Sequence, residues 1–116
     1  MEYCVKLKDV KSYIPEGHSG TVNCTLIDEK TGIKDFILIH GEVHPGGRAE
    51  AHSHPFDQGF YVLSGRGKVT IDGKEYQVEG GSAYCAPAGV THQVVALGPE
   101  PLRVLRIDSR REDHSG

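Results

Sequence analysis

Short runs of alternating apolar and polar residues, separated by turn residues, make up most of this chain. Val69 and Ile71 alternate with polar neighbours, and Asp72-Gly73 then marks a tight hairpin turn into residues 75–78. Similar runs occupy residues 22–27, 36–43, 48–54, 58–63, 83–86, 93–97 and 102–107. No stretch shows a sustained apolar period of 3.6 residues, so helices are not expected. The pattern predicts an all-β domain, an antiparallel barrel or jelly roll.

Turn and breaker residues set the expected limits of the strands. Residues 29–32 read as a hairpin loop, and Pro45-Gly46-Gly47 is expected to end the strand that begins at Phe36. Near the start of the chain, Val5, Leu7 and Val10 are compatible with a short edge strand. We therefore expect a single domain over residues 1–116, with the barrel at about residues 20–108 and a poorly ordered polar tail at 109–116.

Composition and charge limit the kinds of molecule that this chain is expected to bind and where it is expected to work. The chain has 116 residues and a net charge of −3, with no basic cluster, which argues against nucleic-acid binding. No apolar run is long enough to span a membrane, and the first residues do not resemble a signal peptide, so we expect a cytoplasmic protein. The three scattered cysteines, Cys4, Cys24 and Cys85, predict free thiols.

One stretch and one distant histidine carry the candidate chemistry. His52 and His54 stand one residue apart, and on an extended strand their side chains point to the same face. Gln58 offers a carbonyl oxygen just downstream, and a Pro-x-Gly turn places His92 at the start of another strand. Three imidazoles and an amide oxygen predict a site for zinc, copper, iron or nickel.

Other residues are weaker candidates. Asp57 is a charged alternative to Gln58 as the fourth ligand, but its opposite strand parity predicts that it points away. His40 and Glu42 would act as acid or base groups if their face of the strand lines the cavity, and facing solvent is the equally open alternative. Tyr84 is a possible proton donor or simply a core aromatic residue. His18 lies in polar, turn-like surroundings and is not expected in the site.

These residues resemble the two sequence motifs of the cupin superfamily. The first motif is matched by Gly46, His52, His54, Gln58 and Gly65, and the second by Gly81, Pro87, Gly89 and His92. Two positions depart from the family pattern: Gln58 replaces a glutamate, and Ala96 stands where an asparagine is usual. Without a carboxylate ligand, a bound ion would keep more Lewis acidity. For the same reason, we expect Gln58→Glu to raise metal affinity.

The resemblance implies a small-molecule substrate but leaves the reaction open. One hypothesis is a Lewis-acid isomerase or lyase acting on an oxygen-rich compound, similar to small cupins that ketonise unsaturated uronates. A second is a dioxygenase that uses iron, manganese, nickel or copper. A third is a binding or sensing module without turnover. Oxygen uptake, anaerobic turnover or saturable binding without product would separate the three.

The outer faces of two strands predict self-association. If Gln58, Phe60 and Val62 face the cavity, Tyr61 faces out, and residues 36–43 are apolar on both faces. Exposed apolar strand faces of this size are unusual in monomers. The resemblance points the same way, so we expect a homodimer with Tyr61 or Ile39 at or near the contact.

Overall fold

The computed structural model of the protein describes residues 2–15 and 18–110, except for the side chain of Glu50. In this part of the chain, eight strands are joined by turns, and two turns form short 3-10 helices at Leu7–Asp9 and Glu29–Thr31. The strands are β1 His18–Ile27, β2 Phe36–His52, β3 Gln58–Ser64, β4 Arg66–Ile71, β5 Lys74–Glu79, β6 Ala83–Ala86, β7 His92–Ala96 and β8 Leu102–Ser109. Of the tail expected to be poorly ordered at 109–116, residues 111–116 lie outside the described residues, whereas Ser109 ends β8 and the Arg110 N–H donates to the Asp35 carbonyl at 2.9 Å.

All strand pairs are antiparallel and form one nearly closed barrel. The sheet order is β5-β4-β7-β2-β8-β3-β6, and β1 pairs with β2 beside this path. The long β2 contacts β1, β7 and β8, so it joins the two halves of the barrel. The predicted all-β jelly-roll architecture is therefore confirmed.

Inward-facing residues of β3, β4 and β8 fill the core at one end of the barrel. Val62 and Leu102 are fully buried, and Val69 is 1% exposed. Gly67 is needed beside them, because a Cβ at this position would lie 2.7 Å from Cδ2 of Leu102. Leu102 also borders the cavity of the barrel, so the core and the cavity are adjacent.

The β2 strand does not end where its sequence suggested. It runs through Pro45-Gly46-Gly47 without interruption, because β1 pairs with it on both sides of this segment, at Val43 and at Ala49. The backbones cross so closely that a Cβ on Gly47 would lie 2.6 Å from the Gly20 carbonyl oxygen. The glycine pair therefore bends the strand and carries it from one half of the barrel to the other.

Two further turns test the sequence-based expectations. Asp72 and Gly73 both have positive φ angles, 52° and 82°, as a type I′ hairpin turn requires, so the predicted hairpin is confirmed. The predicted edge strand near Val5 is wrong, because Leu7 begins a 3-10 turn there and both side chains are exposed.

Among the described residues, there is no helix with the length and apolar character needed to cross a membrane.

Candidate metal centre

Three histidines converge at the open end of the barrel. His52 ends β2 and His92 begins β7, and the two residues are direct cross-strand partners with ring centroids 4.5 Å apart. The ring of His54 lies 4.7 Å from that of His52. One ring nitrogen of each histidine can be chosen so that all three lie within 4.8 Å of one another. This spacing allows all three to contact a single ion.

Two hydrogen bonds fix the loop that carries His54. The Gly89 N–H donates to the His54 carbonyl at 2.8 Å, and the Ala88 N–H donates to Oδ1 of Asp57 at 2.8 Å. The turn before His92 is thereby tied to the loop after His52. Asp57 is exposed and its carboxylate anchors this turn, in line with the expectation that it points away from the ligand cluster.

The histidines are prepared to bind a cation. Nδ1 of His92 lies 3.1 Å from the Val90 carbonyl, which can only accept, so Nδ1 carries the proton and Nε2 keeps its lone pair. Burial lowers the pKa of His54 and of His92, and the neighbouring imidazoles lower both further. Neutral imidazole is the ligating form, so the site does not have to release protons at neutral pH.

Gln58 is buried and lines the same cavity of the barrel as His52 and His92. Its Nε2 donates to Oδ1 of Asp108 at 3.0 Å, while its Oε1 is buried without a hydrogen-bond partner among the described residues. A buried carbonyl oxygen without a partner costs free energy unless a ligand satisfies it. The donor set therefore fits a divalent transition metal held by three imidazole nitrogens and one amide oxygen.

A cavity of about 60 Å³ opens beside this cluster and is lined by His52 and His92. Most of its wall is apolar, contributed by Ile39, Val43, Ala49, Phe60, Ile71, Val94, Leu102 and Val104. The Tyr84 ring is stacked on Phe60, with centroids 4.4 Å apart. Tyr84 and Ile71 also line a groove between β5 and β6, the two end strands of the sheet, so they stand between the cavity and this groove.

Sequence reasoning missed several polar residues of the cavity. His18 begins β1, its ring centroid is 5.7 Å from that of His52, and its Nδ1 lies 3.0 Å from Oγ1 of Thr21. Burial, followed by the charge of His52, lowers the pKa of His18 to about 4. Asn23 is 5% exposed, and its Nδ2 has no hydrogen-bond partner in the described part of the chain.

Arg106 and Asp108 were also missed, although a signal for them existed. They continue the inward-facing series that starts with Leu102 and Val104 on β8, where alternate residues point to the same side. Polar residues at two successive inward positions of a strand indicate a polar site. His18 gave no comparable signal, because it precedes the apolar part of β1.

Two of the weaker catalytic candidates, His40 and Glu42, have partners other than the histidines of the cluster. His40 is buried on the opposite face of β2 from Ile39, and its Nε2 lies 3.1 Å from Nη2 of Arg103. Glu42 borders the cavity, but its carboxylate contacts His44 at 3.7 Å and Arg103 at 3.9 Å. His40 therefore does not line the cavity, whereas the Glu42 carboxylate lies at its border and is engaged with His44 and Arg103. Tyr84, in contrast, lines the cavity as proposed.

Comparisons with known proteins agree with this geometry. Residues 39–108 match the Cupin_2 family of cupin domains. The chain is 37% identical over 70 residues to the dimethylsulfoniopropionate lyase DddW of Ruegeria pomeroyi, covering 60% of this chain and 45% of that protein. It is 30% identical over 87 residues to the tetracenomycin polyketide synthase protein TcmJ of Streptomyces glaucescens, covering 74% and 58%. The chain thus spans about half the length of these curated relatives.

A solved structure extends the likeness over almost the whole fold. The polyketide cyclase RemF from Streptomyces resistomycificus superposes with a TM-score of 0.86 at 30% identity, covering 95% of this chain and 80% of that chain. The family match includes Gln58 and the three histidines that cluster in the barrel, His52, His54 and His92. The chain is a member of the Cupin_2 family.

Proposed function

We propose that this protein is a metal-dependent enzyme that activates a carbonyl compound by Lewis-acid chemistry without redox change. The observation that carries the proposal is the cluster of three imidazoles, two of which line an apolar cavity together with Gln58, whose Oε1 is buried without a partner in the described part of the chain. In this proposal, His52, His54, Gln58 and His92 are the ligands of a divalent transition metal, with manganese, iron, nickel, zinc and copper as candidates. All four ligands are neutral, so a bound divalent ion would keep its full positive charge and would polarise a substrate oxygen more strongly.

The lining of the cavity supports a substrate that is largely apolar and carries several carbonyl oxygens. A sugar acid with many hydroxyl groups would need a partner for each of them, and most of the wall surface is apolar. Apart from the proposed metal ligands, the polar wall residues are His18, Thr21, Asn23, Glu42, Tyr84, Gln93 and Arg106. Two of the relatives, TcmJ and RemF, are named for polyketide synthesis or cyclisation. We therefore favour a poly-carbonyl substrate and ring closure by aldol-type addition over the sugar-acid reaction.

The proposed reaction needs an acidified C–H bond, a proton acceptor and a group that stabilises the negative charge developing on oxygen. The bound ion would polarise a substrate carbonyl and make the neighbouring C–H bond acidic. His18 is uncharged at neutral pH because its pKa is low, so its imidazole accepts the carbon-bound proton. The carbon then adds to a second carbonyl of the same substrate, and the oxygen of that carbonyl takes up a proton. No electrons leave the substrate.

Tyr84 is suited to supply that proton or to hydrogen-bond the oxygen. Burial raises its pKa well above the usual range, so the hydroxyl stays protonated at neutral pH. It has no hydrogen-bond partner among the described residues, and stacking on Phe60 holds the ring in place. The Arg106 guanidinium lines the same cavity and adds positive charge near developing negative charge on oxygen.

Turnover assays on the metal-loaded protein test this proposal. A panel of linear poly-β-carbonyl compounds, with an unsaturated uronate for comparison, would be incubated with and without oxygen and the products identified by NMR and mass spectrometry. The proposal predicts cyclised product of unchanged oxidation state at equal rates in air and under nitrogen. Oxygen consumption coupled to product would support the dioxygenase alternative, and saturable binding without product would support a sensing module. Either result would overturn the proposal.

A further inference from the structure

The amide of Gln58 is held by a charged network behind the metal centre. Gln58 and Asp108 are direct cross-strand partners on β3 and β8, and both are buried, with 4% and 6% exposure. Nε2 of Gln58 donates to Oδ1 of Asp108 at 3.0 Å. The same carboxylate accepts from Nε of Arg106 at 3.0 Å and from Nη2 at 3.2 Å. Asp108 therefore has a fixed position on the inner face of the barrel.

This network decides which end of the Gln58 amide faces the cavity. A carboxylate accepts hydrogen bonds and has none to donate, so only the NH₂ group of the amide can face Asp108. Oε1 must then point the other way, and this is the atom that the structure leaves without a partner. Donation to a charged acceptor also polarises the amide and increases the electron density on its oxygen.

We propose that Asp108 is a positioning residue that orients Gln58 with its carbonyl oxygen toward the three histidines, and that this pairing requires an amide at position 58. The inference rests on the proposed ligand set. A carboxylate at position 58 would face Asp108 at the present hydrogen-bond distance, and two negative oxygens at that distance repel each other. Asp108 thus reverses the expectation from sequence alone that Gln58→Glu raises metal affinity.

The pairing can be tested by exchanging donor and acceptor. Three variants are compared with wild type: Gln58→Glu, Asp108→Asn and the double variant. In Asp108→Asn, the asparagine amide can face Gln58 with either its oxygen or its NH₂ group, so the orientation of Gln58 is no longer unique. In the double variant, the NH₂ group of the asparagine can donate to the new carboxylate. The pair then again has one donor and one acceptor, but the donor is at position 108 and the acceptor at position 58. Glu75→Gln serves as the control, since this carboxylate is exposed on β5 and pairs with Lys68 rather than with a residue of the metal centre.

Two readouts are needed, Co²⁺ affinity by competition with a chelator and thermal unfolding of the metal-free protein. Asp108→Asn should weaken Co²⁺ binding by about 10–100-fold, as loss of outer partners of metal ligands commonly does. Gln58→Glu should weaken Co²⁺ binding as well and should also lower the unfolding temperature of the metal-free protein. The double variant should recover most of both losses, and Glu75→Gln should bind Co²⁺ as wild type does.

The outcomes separate this inference from the proposed function. If wild type binds Co²⁺ but Asp108→Asn leaves the affinity and the Co²⁺ absorption spectrum unchanged, the inference is overturned and the metal site stands. Losses that simply multiply in the double variant also overturn it, because interacting partners are non-additive. If wild type binds no Co²⁺, the inference and the proposed function both fail.

Discussion

His52 and His92 are direct cross-strand partners in the β2–β7 ladder, with ring centroids 4.5 Å apart, although forty positions separate them in the chain. This register brings the two halves of the metal centre together. His54 joins them through the loop that Gly89 ties back by a backbone hydrogen bond of 2.8 Å. The site is therefore built by strand pairing and one turn, with side-chain contacts adjusting it.

The first prediction concerns His18, which lies beside the histidine cluster but outside the group whose nitrogens are within 4.8 Å. If it accepts a proton from substrate, His18→Ala should lower kcat/KM by about 10²–10⁴-fold and leave the bound metal at one per chain. His92→Ala, in contrast, should remove the metal. Steady-state kinetics and elemental analysis of both variants provide the check, and loss of metal from His18→Ala would place His18 among the ligands instead.

The second prediction concerns the Tyr84 hydroxyl. Tyr84→Phe preserves the stacking on Phe60 and removes only the hydroxyl, so metal content and unfolding temperature should not change. Turnover should fall by about 10²-fold, the usual loss when a donor to developing negative charge is removed. Tyr76→Phe is a matched control, because Tyr76 is 48% exposed on β5. Equal activity of the two variants would show that the Tyr84 hydroxyl has no part in the reaction.

The third prediction concerns the core at the end of the barrel where Leu102 lies. Leu102 is fully buried and packs against Gly67. Leu102→Ala leaves a cavity there and should lower the free energy of unfolding by about 2–5 kcal/mol. Urea unfolding of the metal-free protein measures this loss without a contribution from metal binding. A loss below that of typical surface substitutions would mean that this end of the barrel is not the main core.

The fourth prediction is a homodimer formed through the outer face of β3 and β8. Tyr61 and Ile107 are each 49% exposed and Leu63 is 41% exposed on these neighbouring strands. Ile39, the other residue expected at the contact, is 3% exposed and lines the cavity, so that part of the expectation is wrong. Sedimentation equilibrium should give about twice the 12.6 kDa of one chain.

Substitutions locate this contact. Ile107→Asp should yield monomer or aggregate, whereas Ile14→Asp should leave the dimer intact, because Ile14 is 68% exposed in the N-terminal segment, outside the strands of the barrel. A wild-type protein that sediments as a monomer at micromolar concentration would contradict the prediction. A dimer unaffected by Ile107→Asp would move the contact to another face.

Much of the fold was accessible from sequence because strands with period two and glycine turns leave local signals. Asp72-Gly73 specifies its hairpin directly, and the inward positions of β3 were assigned correctly from parity, with Gln58 and Val62 buried and Tyr61 exposed. Because of Pro45, β2 was predicted to end before Gly46 and Gly47, whereas it continues to His52. The pairing of β1 with β2 on both sides of the glycine bend keeps that strand continuous, and a distant partner of this kind leaves no local signal.

The candidate site was only partly accessible. The regular spacing of the two motifs identified His52, His54 and His92. The face of β2 that lines the cavity could not be chosen from sequence, because this strand is apolar on both faces. The face occupied by His40 and Glu42 was therefore left open, and of these two residues Glu42 borders the cavity and His40 does not. The partner of Gln58 was hidden for another reason, since Asp108 lies fifty positions away and reaches it only through the β3–β8 register.

Metal stoichiometry tests the central claim most directly. Wild-type protein, His92→Ala and His44→Ala would be stripped with chelator, reloaded with Zn²⁺ and measured by elemental analysis after gel filtration, with circular dichroism to confirm the β fold. His44 is the control because its side chain is 46% exposed and pairs with Glu42. We predict one Zn²⁺ per chain in wild type and His44→Ala, and none in a folded His92→Ala. Full occupancy in His92→Ala would contradict the proposed metal centre.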